Sequence, residues 1–125
     1  MRLVIYKEPA FKTYGSGGFV LTTPMVVRLF GKFRTEFEIP AGTHTDFASI
    51  PASARTFINI NGRHRLPAVL HDYLYAQGGR IGDFEYTRKD ADELFRDAMK
   101  DYGVSLVRRG AMYRAVRMFG GLHWG

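Results

Sequence analysis

The hydrophobic pattern predicts an α+β fold, a small antiparallel β-sheet from the N-terminal half packed on about three α-helices from the C-terminal half. Two observations carry this. Phe33-Arg34-Thr35-Glu36-Phe37-Glu38-Ile39 alternates, with Phe33, Thr35, Phe37 and Ile39 on one face and the charged residues on the other, which is the period of a strand. From Leu66 onward apolar residues recur at three- and four-residue spacing instead, which is the period of a helix. A chain of 125 residues suits one domain able to bury a core without staples. The expected layout is strands in 1–40, an irregular loop in 41–65, helices in 66–119 and a tail in 120–125.

Taken in order, Leu3-Val4-Ile5-Tyr6 and Met25 to Phe30 are short apolar runs that read as strands, and Gly31-Lys32 reads as a hairpin turn. Gly15-Ser16-Gly17-Gly18 is a connection between strands; no Lys-Ser/Thr or helix start follows that would make it a phosphate cradle. The first helix places Leu66, Val69, Leu70, Tyr73 and Leu74 inward, takes Pro67 in its first turn and ends at Gly78-Gly79. Thr87 with Asp90 three residues on forms a capping box for the second. Ala91, Leu94, Phe95, Ala98, Met99 and Tyr102 are its buried stripe, and Gly103 its stop. The third helix, about 105–119, is expected to bury Leu106, Met112, Tyr113, Val116 and Phe119, with Trp124 folding back as a packing plug.

Composition removes several function classes. Without cysteine there is no disulfide scaffold, thiol nucleophile, Cys-ligated zinc or iron–sulfur cluster. The longest uncharged stretch, Thr13 to Val27, is too short and too interrupted by glycines and Pro24 to span a bilayer, and no signal peptide is legible. A net charge of +6 favours anionic partners. Arg108, Arg109, Arg114 and Arg117 spread around the last helix, which reads as solvated faces or subunit contacts, and no aromatic stacking platform makes nucleic acid the leading partner.

The chemistry concentrates in Leu70-His71-Asp72-Tyr73-Leu74-Tyr75. His71 and Tyr75, four apart, share a helix face, while Asp72 points about 100° away. On the second helix Asp90, Glu93, Asp97 and Asp101 make an acidic outer face, but Asp92 does not belong to it. Its neighbours at three and seven residues on are Phe95 and Met99, so this carboxylate sits at the edge of the apolar stripe and needs a partner. His71 is the candidate cation on the facing helix, which predicts an Asp92–His71 hydrogen bond with Asp72 free nearby. Two readings of this pair stand: a general base held by its carboxylate, or a buried lock between two helices. Asp46 likewise has two, an Asx-type turn before Ser49-Ile50-Pro51 or an oxygen ligand converging with Asp72.

His71-Asp72-x-x-Tyr75 followed by Ala91-Asp92-x-x-Phe95 resembles the active-site pair of phospholipase A2 enzymes, especially the compact viral and microbial ones. The resemblance implies that His71 activates a water, Asp92 orients it, Tyr75 supports the pair by a hydrogen bond and Asp72 binds calcium. The glycine-rich calcium loop of those enzymes is absent ahead of this helix. A second resemblance covers most of the chain. Thr45-Asp46-Phe47-Ala48-Ser49-Ile50-Pro51, His71-Asp72-Tyr73-Leu74-Tyr75, Ala91-Asp92-x-x-Phe95-x-x-Ala98-Met99 and Met112-Tyr113-x-Ala115-Val116-Arg117-x-Phe119-Gly120 occur in order. Together they resemble the family filed as domain of unknown function 1353, encoded largely by tailed bacteriophages and prophages.

These resemblances imply a phage protein located in the virion or the host cytoplasm, with other particle proteins or an anionic membrane surface as partner. Its expected activity is calcium-assisted hydrolysis of a phospholipid ester through His71, Asp92 and Tyr75, with Asp72 and Asp46 on the metal. The competing expectation is a non-catalytic tail, baseplate or assembly component whose His–Asp pair only holds helices together.

Overall fold

The computed structural model describes residues 2–14, 18–30, 35–45, 65–82 and 84–125. Strands fill the N-terminal half and helices the C-terminal half, so the fold is α+β. One three-stranded antiparallel sheet is formed by β1 (Arg2–Lys7), β4 (Met25–Phe30) and β5 (Thr35–Ile39), in the order β1-β4-β5. A second is formed by β2 (Phe11–Tyr14), β3 (Gly18–Leu21) and β6 (His44–Thr45), in the order β2-β3-β6. The helices are α1 (Arg65–Ala76), α2 (Arg88–Asp101) and α3 (Leu106–Phe119), and a 3₁₀ turn follows at Gly120–His123.

Met25, Val27 and Leu29 on β4 and Phe37 and Ile39 on β5 are buried, while Glu36 and Glu38 stay outside. The alternation expected for the third run therefore holds across 36–39, because each strand residue turns to the opposite face from its neighbour. Phe33, Arg34 and the Gly31-Lys32 turn lie outside the described residues, as do Gly15 to Gly17 and the segment 46–64 with Asp46 and Ser49. Two features were not legible in the pattern. His44-Thr45 pairs with β3 within what reads as an irregular loop. The connection between α1 and α2 also holds a two-stranded ribbon, β7 (Arg80–Ile81) with β8 (Phe84–Glu85).

That ribbon fixes how α2 returns. Gly79 has φ 78, and a β-carbon there would lie 1.9 Å from the Tyr86 carbonyl oxygen, so only glycine allows the two backbones to approach. Tyr86 N–H donates to the Gly79 carbonyl at 2.8 Å, closing the ribbon against the end of α1. Thr87 then caps α2: its hydroxyl accepts from Asp90 N–H, and the Asp90 carboxylate accepts from Thr87 N–H, each at 3.0 Å. Such a cap contributes about 1 kcal/mol. It also corrects the place of Asp90, which is buried in the cap and is not part of the solvated acidic face.

Helix α2 lies between the other two and also touches β1. Ala91, Leu94, Phe95, Ala98 and Met99 are fully buried, meeting Leu66, Val69, Leu70 and Leu74 of α1 and Met112 and Val116 of α3 in one core. Each large apolar side chain removed from water here contributes about 1.5–3 kcal/mol before entropy is counted. The inward set expected for α3 needs correction. Met112 and Val116 are buried, Tyr113 is half-buried, and Leu106 and Phe119 face solvent. Trp124 does fold back, its ring edge-on to Tyr75 with centroids 5.1 Å apart, and Gly125 N–H donates to the Tyr75 carbonyl at 2.9 Å.

Candidate functional site

Burial of the Ala91-to-Met99 stripe sets the rotation of α2 and so turns Asp92 away from water, toward the α1 face that carries His71 and Tyr75. His71 Nε2 lies 2.7 Å from Asp92 Oδ1, and the Tyr75 phenol donates to the same oxygen at 2.6 Å. Neither His71 nor Asp92 has exposed surface, and Tyr75 has almost none. The imidazole is held between two rings, with centroids 4.2 Å from Tyr75 and 4.6 Å from Phe95. The hydrogen bond expected between the two helices is therefore present, and Tyr75 joins it from one turn further along α1.

Asp92 has more partners than the sequence reading gave it. Arg117 Nη1 of α3 donates to Oδ2 at 2.8 Å, and Arg88 Nη1, one turn before Asp92, stands 3.8 Å from the same oxygen. Arg88 also donates to the carbonyls of Val116 and Arg117 at 3.1 and 3.0 Å and to the Tyr75 phenol oxygen at 3.3 Å. It thus adds donors to the last turn of α3, where the Val116 carbonyl also accepts from Gly120 N–H. His71 is accordingly not the only cation candidate beside Asp92, and Arg117 turns inward to this carboxylate. One carboxylate joins all three helices.

Just past this clasp, Gly120 is buried, and a β-carbon there would stand 2.7 Å from the Tyr75 phenol oxygen. With that phenol committed to Asp92 and packed against Trp124, the chain leaving α3 has no room for a larger residue. Asp72, on the neighbouring face of α1, is half-buried, and its Oδ2 accepts a hydrogen bond from the Thr45 hydroxyl at 2.7 Å. It is therefore not free, as the sequence reading expected, but tied to β6. Its predicted companion Asp46 lies outside the described residues. Among the described residues no group of three His, Asp or Glu gathers around a common point.

Protonation follows from burial and partners. Burial works to raise the Asp92 carboxyl, but hydrogen bonds from His71, Tyr75 and Arg117 outweigh it and hold the group below its ordinary value, so it is ionised. Burial lowers the His71 imidazole below 6.5, although Asp92 and Asp72 pull the other way. A neutral ring against an ionised carboxylate must carry its proton on Nε2, which makes Nδ1 the basic nitrogen. Burial likewise raises the Tyr75 phenol, which stays protonated and donates.

This has a consequence for stability. Below pH 6.5 an unfolded chain protonates His71 while the folded ring resists, so unfolding takes up a proton and acid favours it. The ring's contribution is complete above pH 6.5 and is lost as pH falls toward the folded value. Asp92, also depressed, acts in the same direction at lower pH. Thermal denaturation of the wild type is expected to move to lower temperature as pH drops from 6.5 to 5. In His71→Asn, whose amide still donates to Asp92, that slope should flatten; an unchanged slope would show that the buried ring is not its source.

Fold and site together define a class: a small α+β protein whose helices converge on a buried histidine–carboxylate–tyrosine cluster. The chain belongs to the family described as protein of unknown function (DUF1353), whose model matches residues 19–116. That span includes β3 through most of α3, and with them His71, Tyr75, Arg88 and Asp92. Neither the curated proteins nor the solved structures provide a match to the chain.

Proposed function

We propose that this chain is a phage-encoded protein, carried in the virion or acting as the phage enters its host, that hydrolyses phospholipid esters by a calcium-assisted, phospholipase A2-like reaction. One observation supports the reading: the 2.7 Å contact between Asp92 Oδ1 and His71 Nε2, a carboxylate orienting an imidazole as a general-base pair requires. In this scheme Nδ1 takes a proton from water as the oxygen attacks the ester carbonyl. Asp92 stabilises the imidazolium that results, and the same proton then passes to the departing alcohol. Tyr75, whose phenol shares the carboxylate oxygen, keeps Asp92 aimed at the ring.

The donor chemistry around Asp72 fits a hard cation. Its carboxylate and the Thr45 hydroxyl place two oxygens side by side, and calcium prefers oxygen ligands. Asp72, Thr45 and Asp46 would hold it, and the ion would supply positive charge opposite the developing oxyanion. The order of the four motifs supports the phage setting through the family they resemble.

The test uses vesicles of phosphatidylglycerol with the purified chain and measures free fatty acid. Release is expected with calcium, absent in chelator, and lowered about tenfold or more in Asp72→Asn. No release by the wild type across a calcium series overturns the hydrolase.

A second reading is favoured by the closure of the cluster. His71 and Asp92 are without exposed surface, and two arginines complete the carboxylate's coordination. That suits a particle component in which the cluster only locks the helices. A wild type inert toward ester but strongly destabilised by loss of Asp92 is the result expected there.

A further inference from the structure

Helix α3 has apolar residues on both sides. Met112 and Val116 enter the core, yet the opposite side carries Val107 at 82% exposure and Met118 at 72%, and Leu122 in the following turn reaches 95%, while Leu106 at 72% and Phe119 at 60% project from the two ends of the helix. Apart from Phe84 at the ribbon, these are the exposed large hydrophobic side chains among the described residues. A helix that only covers a core has no use for a second apolar side, and an apolar patch of this kind marks a contact surface.

The charge around the patch is of one sign. From Tyr102 to Gly125 the chain has no Asp or Glu, while it has Arg108, Arg109, Arg114 and Arg117. Arg117 is committed to Asp92 and Arg109 donates to the Val104 carbonyl at 2.9 Å. Arg108 and Arg114 are exposed, and among the described residues no acidic side chain pairs with them. The occupant of this face is therefore anionic as well as apolar.

The position of Arg114 separates a lipid surface from a shaped protein groove. Val107, Ala111, Arg114 and Met118 follow one another at spacings of four, three and four, so the arginine lies within the apolar line. In a dry groove it would be an expensive unpaired charge. At a bilayer interface its stem lies along acyl chains while the guanidinium reaches a phosphate. We propose that the outer face of α3, with the 3₁₀ turn after it, docks the protein on the surface of an anionic phospholipid bilayer. Naming phospholipid as the occupant rests on the hydrolase reading. The docking helix also carries Arg117 on another side, so membrane surface and candidate site share one rigid element.

The experiment is co-sedimentation with vesicles in chelator, so that binding is read without hydrolysis. Vesicles of phosphatidylglycerol and phosphatidylcholine should retain the chain, pure phosphatidylcholine much less, and retention should fall as salt is raised. Met118→Glu with Leu122→Glu, both outside core and site, should weaken retention at least tenfold with the melting temperature unchanged. Retention that is absent, or indifferent to these substitutions, overturns the proposal. So does a dimer seen by light scattering that the same substitutions dissociate, since the face would then belong to a second copy. Retention by a chain that releases no fatty acid keeps the docking surface and removes the hydrolase. Hydrolysis of a soluble short-chain ester without retention does the reverse.

Discussion

Asp92→Ala should lower the free energy of unfolding by about 3–5 kcal/mol, the range for removing one partner of a buried charged network. The carboxylate is fully buried and accepts from His71, Tyr75 and Arg117, with Arg88 at 3.8 Å. Its removal leaves the Tyr75 hydroxyl and the His71 N–H without their acceptor in the core and brings Arg88 and Arg117 together with no anion between them. A domain of this size has about 5–15 kcal/mol in total, so the loss is a large fraction of its stability. Asp92→Asn keeps one oxygen acceptor but not the charge and should fall between the two. Urea denaturation followed by circular dichroism measures both. A change below about 1 kcal/mol for alanine would show that the cluster does not hold the helices together.

His71→Ala should reduce calcium-dependent fatty-acid release by about 10²- to 10⁴-fold, the usual contribution of a positioned general base. Alanine also opens a space between Tyr75 and Phe95, so His71→Gln, which fills more of it and can still donate to Asp92, is the control for folding. Both variants should lose activity, while glutamine retains most of the wild-type stability. The pH profile separates base from lock. Because burial lowers the imidazole below 6.5, wild-type activity should persist under mildly acidic conditions and decline only as pH falls toward that lowered value. Glutamine at position 71 with more than half the wild-type rate would remove His71 as the base, whatever its effect on stability.

The parts of the site that repeat at helical spacing could be read in advance. His71 and Tyr75 are one turn apart, and Asp92 stands out as an acid in line with Phe95 and Met99, so their meeting across α1 and α2 follows from burial and charge. Arg88 had a signal too, since it precedes Asp92 by four residues, within reach along one helix. Arg117 had none. It reaches Asp92 only because α3 docks against α2 in one rotation, and nothing in the local spacing of α3 chooses that rotation.

Leu106 and Phe119 have another cause: periodicity groups them with Met112 and Val116, but they are the first and last residues of α3 and run past the core. With apolar residues on two sides of α3, periodicity identifies a helix but not which side enters the core. Contact with α2 decides it, turning Met112 and Val116 inward and leaving Val107 and Met118 exposed. The hydroxyl on Asp72 was hidden for a related reason. Thr45 is 27 residues away in sequence, and the pairing of β6 with β3 carries it to α1.

What the sequence determined by itself was local: strand alternation in β5, the Thr87 cap, the glycine stops and the face shared by His71 and Tyr75. Each depends on residues within a turn or two of one another, where backbone geometry leaves few alternatives. The tertiary structure alone decided the arginines that complete Asp92, the tether on Asp72 and the side of α3 left for a partner. Those depend on how whole elements rotate against each other, and that is set by the summed burial of the core.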